Sequence, residues 1–117
     1  SFICMELDAT SLYVLRRHEG LPQLYGEAPV ATQVARDYFS KMIEAAAVRY
    51  GSERPYLLGD RFTGADMLMM TILIWAKNLD PPIALPARLE DLHDRIAARP
   101  AYQAAVEANT PEGPRAP

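Results

Sequence analysis

The stretch LLGDRFTGADMLMMTILIWA, Leu57 to Ala76, sets a turn, a polar pair and ten nearly unbroken apolar residues in succession. Thr63 and Asp66 stand three apart, directly before the apolar run. That spacing is a capping box: the Thr63 hydroxyl accepts from the Asp66 N–H, and the Asp66 carboxylate reaches back to the Thr63 N–H, with Asp in the usual Glu position. Phe62 and Met67 fall at the flanking hydrophobic-staple positions. The Asp66 charge also meets the positive end of the helix dipole. On a helical wheel Met67 to Ala76 is apolar on every side, so this helix is expected to have neighbours all round and to be central to the fold. Its first N–H groups then have no water to rely on and need internal partners. A catalytic hydroxyl–carboxylate pair is the other reading of Thr63 and Asp66. No histidine is near in sequence and capping accounts for both residues, so the structural reading is preferred.

Outward from this stretch, every good periodic run is helical and no strand pattern lasts. Residues 2 to about 18 read as a first helix, ended by Gly20 and Pro22. The loop GLPQLYGEAP leads to Pro29, suited to a first helical position. The second helix runs to about Tyr50, with Val30, Val34, Tyr38 and Met42 on one face and Gly51 as cap. The third spans Thr63 to about Asn78, before Pro81 and Pro82. LPARLEDLHDRIAAR gives a fourth, with Leu89, Leu92 and Ile96 inward and the charge run RLEDLHDR as a solvated face. Pro100 opens a short last helix with Tyr102 and Val106 on its apolar side. The expectation is an all-α domain of five helices over residues 1–108, followed by a disordered tail at 109–117.

The 117 residues suffice for one domain, and half of them are hydrophobic. A net charge of −3 offers no basic field for nucleic acid or anionic lipid, and the apolar run is too short to span a bilayer. No signal peptide is visible. Cys4 is the single cysteine, which excludes an internal disulfide and fits a reducing compartment. The chain opens on SFICMEL, without a polar lead-in, and reads as a piece of a longer protein.

The first helix shows two apolar sectors on a 100° wheel. One holds Phe2, Met5, Ala9, Leu12 and Tyr13, with Arg16 inside it and Asp8 at its margin; the other holds Ile3, Cys4, Leu7, Val14 and Leu15. A helix on one core needs one stripe, so two suggest a core face and a face for a partner or ligand. Cys4 is expected as a small buried side chain. Arg16 in an apolar sector calls for an acceptor; the plainer alternative, that it snorkels to solvent, is slightly preferred. His18 would complement the end of the first helix. His93 has Glu90, Asp91 and Asp94 nearby, but Asp94 is the wrong neighbour along a helix to share a metal, and no metal site is expected.

The segment YLLGDRFTGADMLMMTILIWA resembles the C-terminal domain of cytosolic glutathione transferases, bacterial ones above all, where LxGxxFTxAD leads into a buried helix through a capping box and staple. RPAYQAAVE is similar to the family's closing RPAxxxALE, and FICMELDATSLYVL to its first all-α helix. The resemblance covers about residues 1–108. It implies a thioredoxin-like domain before residue 1 that binds glutathione as co-substrate and supplies the Ser, Tyr or Cys that activates its thiol. No catalytic residue is then expected in this chain, and Cys4 cannot be the catalytic cysteine. The chain alone would be inactive, cytoplasmic, and part of a homodimer whose exposed domain face favours self-association.

The resemblance also implies a wall for a hydrophobic electrophile, drawn from Met5, Asp8, Ala9, Leu12 and Arg16 on the first helix and Trp75 on the central one. Related proteins often carry His and Lys near the positions of Asp8 and Ala9, so those polar contacts are missing here. Trp75 could stack on aryl electrophiles or be a plain core residue; the family position favours the first. The implied function is detoxifying conjugation of glutathione thiolate to apolar electrophiles. Alternatives are a non-catalytic interaction module of the same fold, or a glutathione-dependent isomerase or dehalogenase.

Overall fold

In the computed structural model, which describes residues 1–51 and 53–112, the chain is all helical. The first helix, α1, is wound as a π-helix over Ile3–Leu12 and continues as α over Tyr13–His18. After it come α2 (Pro22–Tyr25), α3 (Pro29–Tyr50), α4 (Gly64–Lys77), α5 (Ala87–Ala97) and α6 (Pro100–Asn109). Among the described residues the one non-helical pairing is an isolated bridge between Tyr56 and Gly59. The short α2 is an addition to the five helices expected. Pro22 at its first turn fixes a helical φ for one turn of PQLY, too short to show a period. Asn109 closes α6, its side chain donating to the Ala105 carbonyl at 2.7 Å. The tail expected from 109 lies, from 113 onward, outside the described residues.

The least dimension of the molecule is 22 Å, about two helix diameters. Helix α1 packs on both α3 and α4, and α5 closes over α4. The core takes Leu7, Leu12 and Leu15 from α1, Phe39 and Ile43 from α3, Met69 and Leu73 from α4, and Leu89, Leu92 and Ile96 from α5. The inward face expected of α5 is therefore the one found.

Helix α4 starts as its sequence requires. Thr63 is the N-cap, in extended conformation, and the capping box with Asp66 is closed. Asp66 is fully buried. Its Oδ2 accepts from the Thr63 N–H at 2.8 Å and the Thr63 hydroxyl at 3.3 Å, and its Oδ1 accepts from the Leu57 N–H at 3.0 Å. The third bond was not anticipated. It ties the incoming loop to the same carboxylate, so one side chain fixes both the helix and the approach to it. The staple residues Phe62 and Met67 line one apolar groove between α4 and α6, together with Met70, Ile74 and Tyr102. That groove is a correction to the helix expected to be covered all round. Met67 is 60 % exposed, and Leu68 and Thr71 are open as well. The buried side carries Met69, Met70, Ile72, Leu73 and Ala76.

Three further expectations fail on register. In α3 the buried stripe is Thr32, Ala35, Phe39, Ile43 and Ala46, whereas Val30 is 80 % and Val34 62 % exposed. Tyr38 and Met42 are half-buried at its edge. A run of strict four-residue steps drifts round a helix, while alternating steps of three and four stay on one face, and the bulk of Phe39 and Ile43 decides which face is taken. In α1 the buried residues Ile3, Leu7, Ser11 and Leu15 follow four-residue steps with Leu12 beside them. The cause is the π winding, in which bonds run to the fifth residue rather than the fourth; the Tyr13 N–H bonds the Asp8 carbonyl. Under that winding a 100° wheel misplaces side chains, and Cys4, expected inside, is exposed. In α6 Val106 is exposed and Tyr102 alone of the pair is partly covered.

The run RLEDLHDR is more than a solvated face. Arg88 is 9 % exposed, and its guanidinium donates to the carbonyls of Gly51, Arg54 (3.2 Å) and Tyr56 (3.5 Å). Arg95 donates to the Pro55 carbonyl at 2.8 Å. Arg99 lies 3.9 Å over the Phe62 ring and donates to the Tyr56 hydroxyl at 3.3 Å, while Tyr56 and Phe62 meet edge to face. Arginines on and just beyond α5 thus hold the loop before α4, which the Asp66 bond to Leu57 also ties. Burial and the charge of Arg95 push the Arg88 pKa down, while Asp91 and Asp66 pull it the other way.

Candidate functional site

The C-terminal ends of α1 and α4 converge with α2 on a cavity of about 340 Å³. Its lining includes Tyr13, Arg16 and Arg17 of α1, Gly20, Leu21 and Tyr25 around α2, and Trp75, Asn78 and Leu79 at the end of α4. The position follows from the helix lengths. Box-anchored α4 delivers Trp75 to its own last turn, and the end of α1 brings Tyr13, Arg16 and Arg17 beside it. Gly20 is required where it stands: a Cβ there would come within 2.7 Å of the Arg16 carbonyl, so any other residue would force the end of α1 to shift.

The guanidinium of Arg16 lies 3.7 Å from the centroid of the Trp75 ring. Arg17 is held between two further rings, 4.1 Å from Tyr25 and 5.1 Å from Tyr13. These are cation–π contacts, worth about 0.5–2 kcal/mol each depending on solvation. Beside the cavity, His18 Nδ1 is 2.8 Å from the Gly26 carbonyl and secures the loop that follows α2. Glu19 is taken by Arg36, through contacts of 2.6 and 2.8 Å, from the far side.

Of the residues expected to form a ligand wall, Arg16 and Trp75 come together in this cavity. Met5 and Ala9 are exposed on α1 and do not line it. Leu12 is fully buried and belongs to the core, a consequence of the same π register. Asp8 is half-buried, and its Oδ1 is buried without a hydrogen-bond partner. Sequence reasoning missed Arg17 and Tyr25. Arg17 fell in the polar strip of the wheel, and Tyr25 lies in a segment too short for periodicity to register. Their signal was compositional: paired arginines and two tyrosines within YVLRRHEGLPQLY.

The His93 cluster departs from expectation in detail. Asp94 does reach its neighbour, with Oδ1 3.0 Å from His93 Nδ1, and one ligand atom each of Glu90, His93 and Asp94 falls within 4.8 Å of the others. Adjacent residues on a helix diverge at Cα, but a bent Asp side chain closes onto the near ring nitrogen. Glu90 is at the same time bonded to Lys77 at 2.8 Å. Among the described residues no helix is long and apolar enough to cross a membrane.

A model of the glutathione S-transferase C-terminal domain matches residues 16–107, from the Arg16 of the cavity into the last turn of α6. Neither the curated proteins nor the solved structures contain a match to the chain. The family match covers the capping box, the clamped loop and Trp75, and it agrees with the all-helical architecture. By that match, this chain belongs to the glutathione S-transferase C-terminal domain family.

Proposed function

We propose that this chain is the electrophile-facing, dimer-forming domain of a glutathione transferase, working beside a thioredoxin-like domain that binds glutathione and activates its thiol. The observation that carries the reading is the cavity itself: Trp75, Tyr13 and Tyr25 bring aromatic rings, and Arg16 and Arg17 charge, to the convergence of two helix ends. Thiolate is the reacting form of glutathione, and nothing in this cavity is placed to make it. The domain contributes position and desolvation, which suit an apolar, planar electrophile held for attack. The exposed Cys4 thiol fits a reducing, cytoplasmic setting. The apolar residues left open on α3 fit a homodimer.

The test uses the intact two-domain protein. Retention on immobilised glutathione together with turnover of 1-chloro-2,4-dinitrobenzene supports the transferase reading. Retention on neither glutathione nor turnover, with a stable folded dimer, would establish the docking-module reading instead. Within an active enzyme, Trp75→Ala should raise KM for the aromatic substrate several-fold more than KM for glutathione. Equal losses for both would mean that Trp75 acts only on stability.

A further inference from the structure

Two arginines in one cavity with no acid among them point to the charge of the ligand. Among the described residues Arg16 and Arg17 make no ion pair and no hydrogen bond to a protein acceptor; their recorded contacts are aromatic faces. Arg16 is exposed and Arg17 half-buried. The other partly covered arginines have protein acceptors, Arg36 in Glu19, Arg88 in three carbonyls, Arg95 in Pro55 and Asp91, Arg99 in the Tyr56 hydroxyl, so Arg17 is the exception among them. The nearest acid in sequence, Glu19, is committed to Arg36. The helix ends nearby do not absorb the charge. The Leu15 carbonyl accepts from the Glu19 and Gly20 N–H groups, and the Ile74 and Trp75 carbonyls accept from the Asn78 N–H. Two helix C-termini supply roughly −0.5 each, against two full positive charges, so the cavity keeps a net positive field in a chain of net charge −3.

A stacked guanidinium keeps its N–H fork free at the rim of the ring plane, a geometry that meets a carboxylate side-on. We infer that the cavity selects an aromatic carboxylate, its anionic group held by Arg16 and Arg17 and its ring lying among Tyr13, Tyr25 and Trp75. This rests on the wall reading above and narrows its substrate class from apolar electrophiles to anionic aryl ones. A carboxylate of glutathione would share the anion chemistry, but it carries no ring for three aromatic walls.

Trp75 is the single tryptophan of the chain, so its emission reports on the cavity directly. The experiment titrates the chain with 4-nitrobenzoate and with its neutral counterpart 4-nitrobenzamide at low ionic strength. The acid should bind about tenfold more tightly than the amide, with the advantage shrinking as salt is added. Arg16→Gln and Arg17→Gln should each remove most of the preference while leaving amide binding in place. Arg16→Lys should restore part of it, and Arg61→Gln, an exposed arginine outside the cavity, should change nothing. Reduced glutathione alone should not displace the bound acid. Equal affinity for the two probes, or a preference that survives both glutamine variants, overturns the anion assignment and leaves the aromatic wall standing. Displacement by glutathione would assign the arginines to glutathione instead and overturn the proposal. Absence of quenching by either probe would overturn it together with the wall.

Discussion

Asp66 is a buried carboxylate with no cation in ion-pair contact among the described residues, a placement that is costly unless hydrogen bonds replace the lost water. Here the Leu57 and Thr63 N–H groups and the Thr63 hydroxyl do so. The Thr63–Asp66 half of this arrangement was legible because it is local: three residues separate donor from acceptor, and an apolar run follows. The Leu57 bond was not, because nothing in a loop residue announces which side chain its N–H will find. Arg88 was illegible for the same reason on a larger span, since its acceptors are carbonyls more than thirty residues away. Its removal tests the clamp. Arg88→Met keeps the stem and strands the carbonyls of Gly51, Arg54 and Tyr56. It should cost about 2–3 kcal/mol, the range for losing hydrogen bonds from a charged donor, read as a lowered urea midpoint. Arg88→Lys, lacking the fork, should recover less than half. An unchanged midpoint for the methionine variant would mean the loop holds without the clamp.

At the scale of the element, α3 and α1 mark where periodicity misleads. The helix of α3 was plain from Pro29 to Gly51, and Gly51 adopts the positive φ of +55° that its place after the helix demands. Its face was not plain, because Val30, Val34, Tyr38 and Met42 make a superficially better ladder than the stripe that is buried. The difference is measurable on one helix. Phe39→Ala should destabilise the chain by about 3–5 kcal/mol, as for other large core truncations. The double change Val30→Glu, Val34→Glu should alter stability by about 0.5 kcal/mol or less per site, read as a nearly unmoved urea midpoint. A large loss of monomer stability from the valine pair would reverse the assignment of faces. In α1 hydroxyls bond back along the π-wound helix: Thr10 donates to the Met5 carbonyl at 2.7 Å and Ser11 to the Leu7 carbonyl at 3.1 Å. No wheel drawn at a fixed angle anticipates that, and the cavity residue that the wheel lost, Arg17, was lost with it.

At the scale of the molecule, the central helix is where the separate pieces meet. Its N-terminus holds the loop through Asp66, its flank carries Met69, Ile72 and Leu73 into the core, and its last turn presents Trp75 to Arg16. The class of fold and the identity of this helix could be read from residues 57–76 because local capping and global burial agree there. The cavity could not, since it is assembled from the ends of three helices whose meeting depends on register and length. If one clasp orders the whole, the cavity and the helices should melt together, and the clasp should move both. The measurement is thermal unfolding of Asp66→Ala beside the parent chain, followed at once by Trp75 emission and by far-UV ellipticity. Coincident transitions are expected in each protein, with a midpoint lowered by about 10 °C in the variant, corresponding to about 2–3 kcal/mol for a chain of this size. An unmoved midpoint, or a Trp75 transition that stays put while the helices melt earlier, would contradict a single ordering clasp.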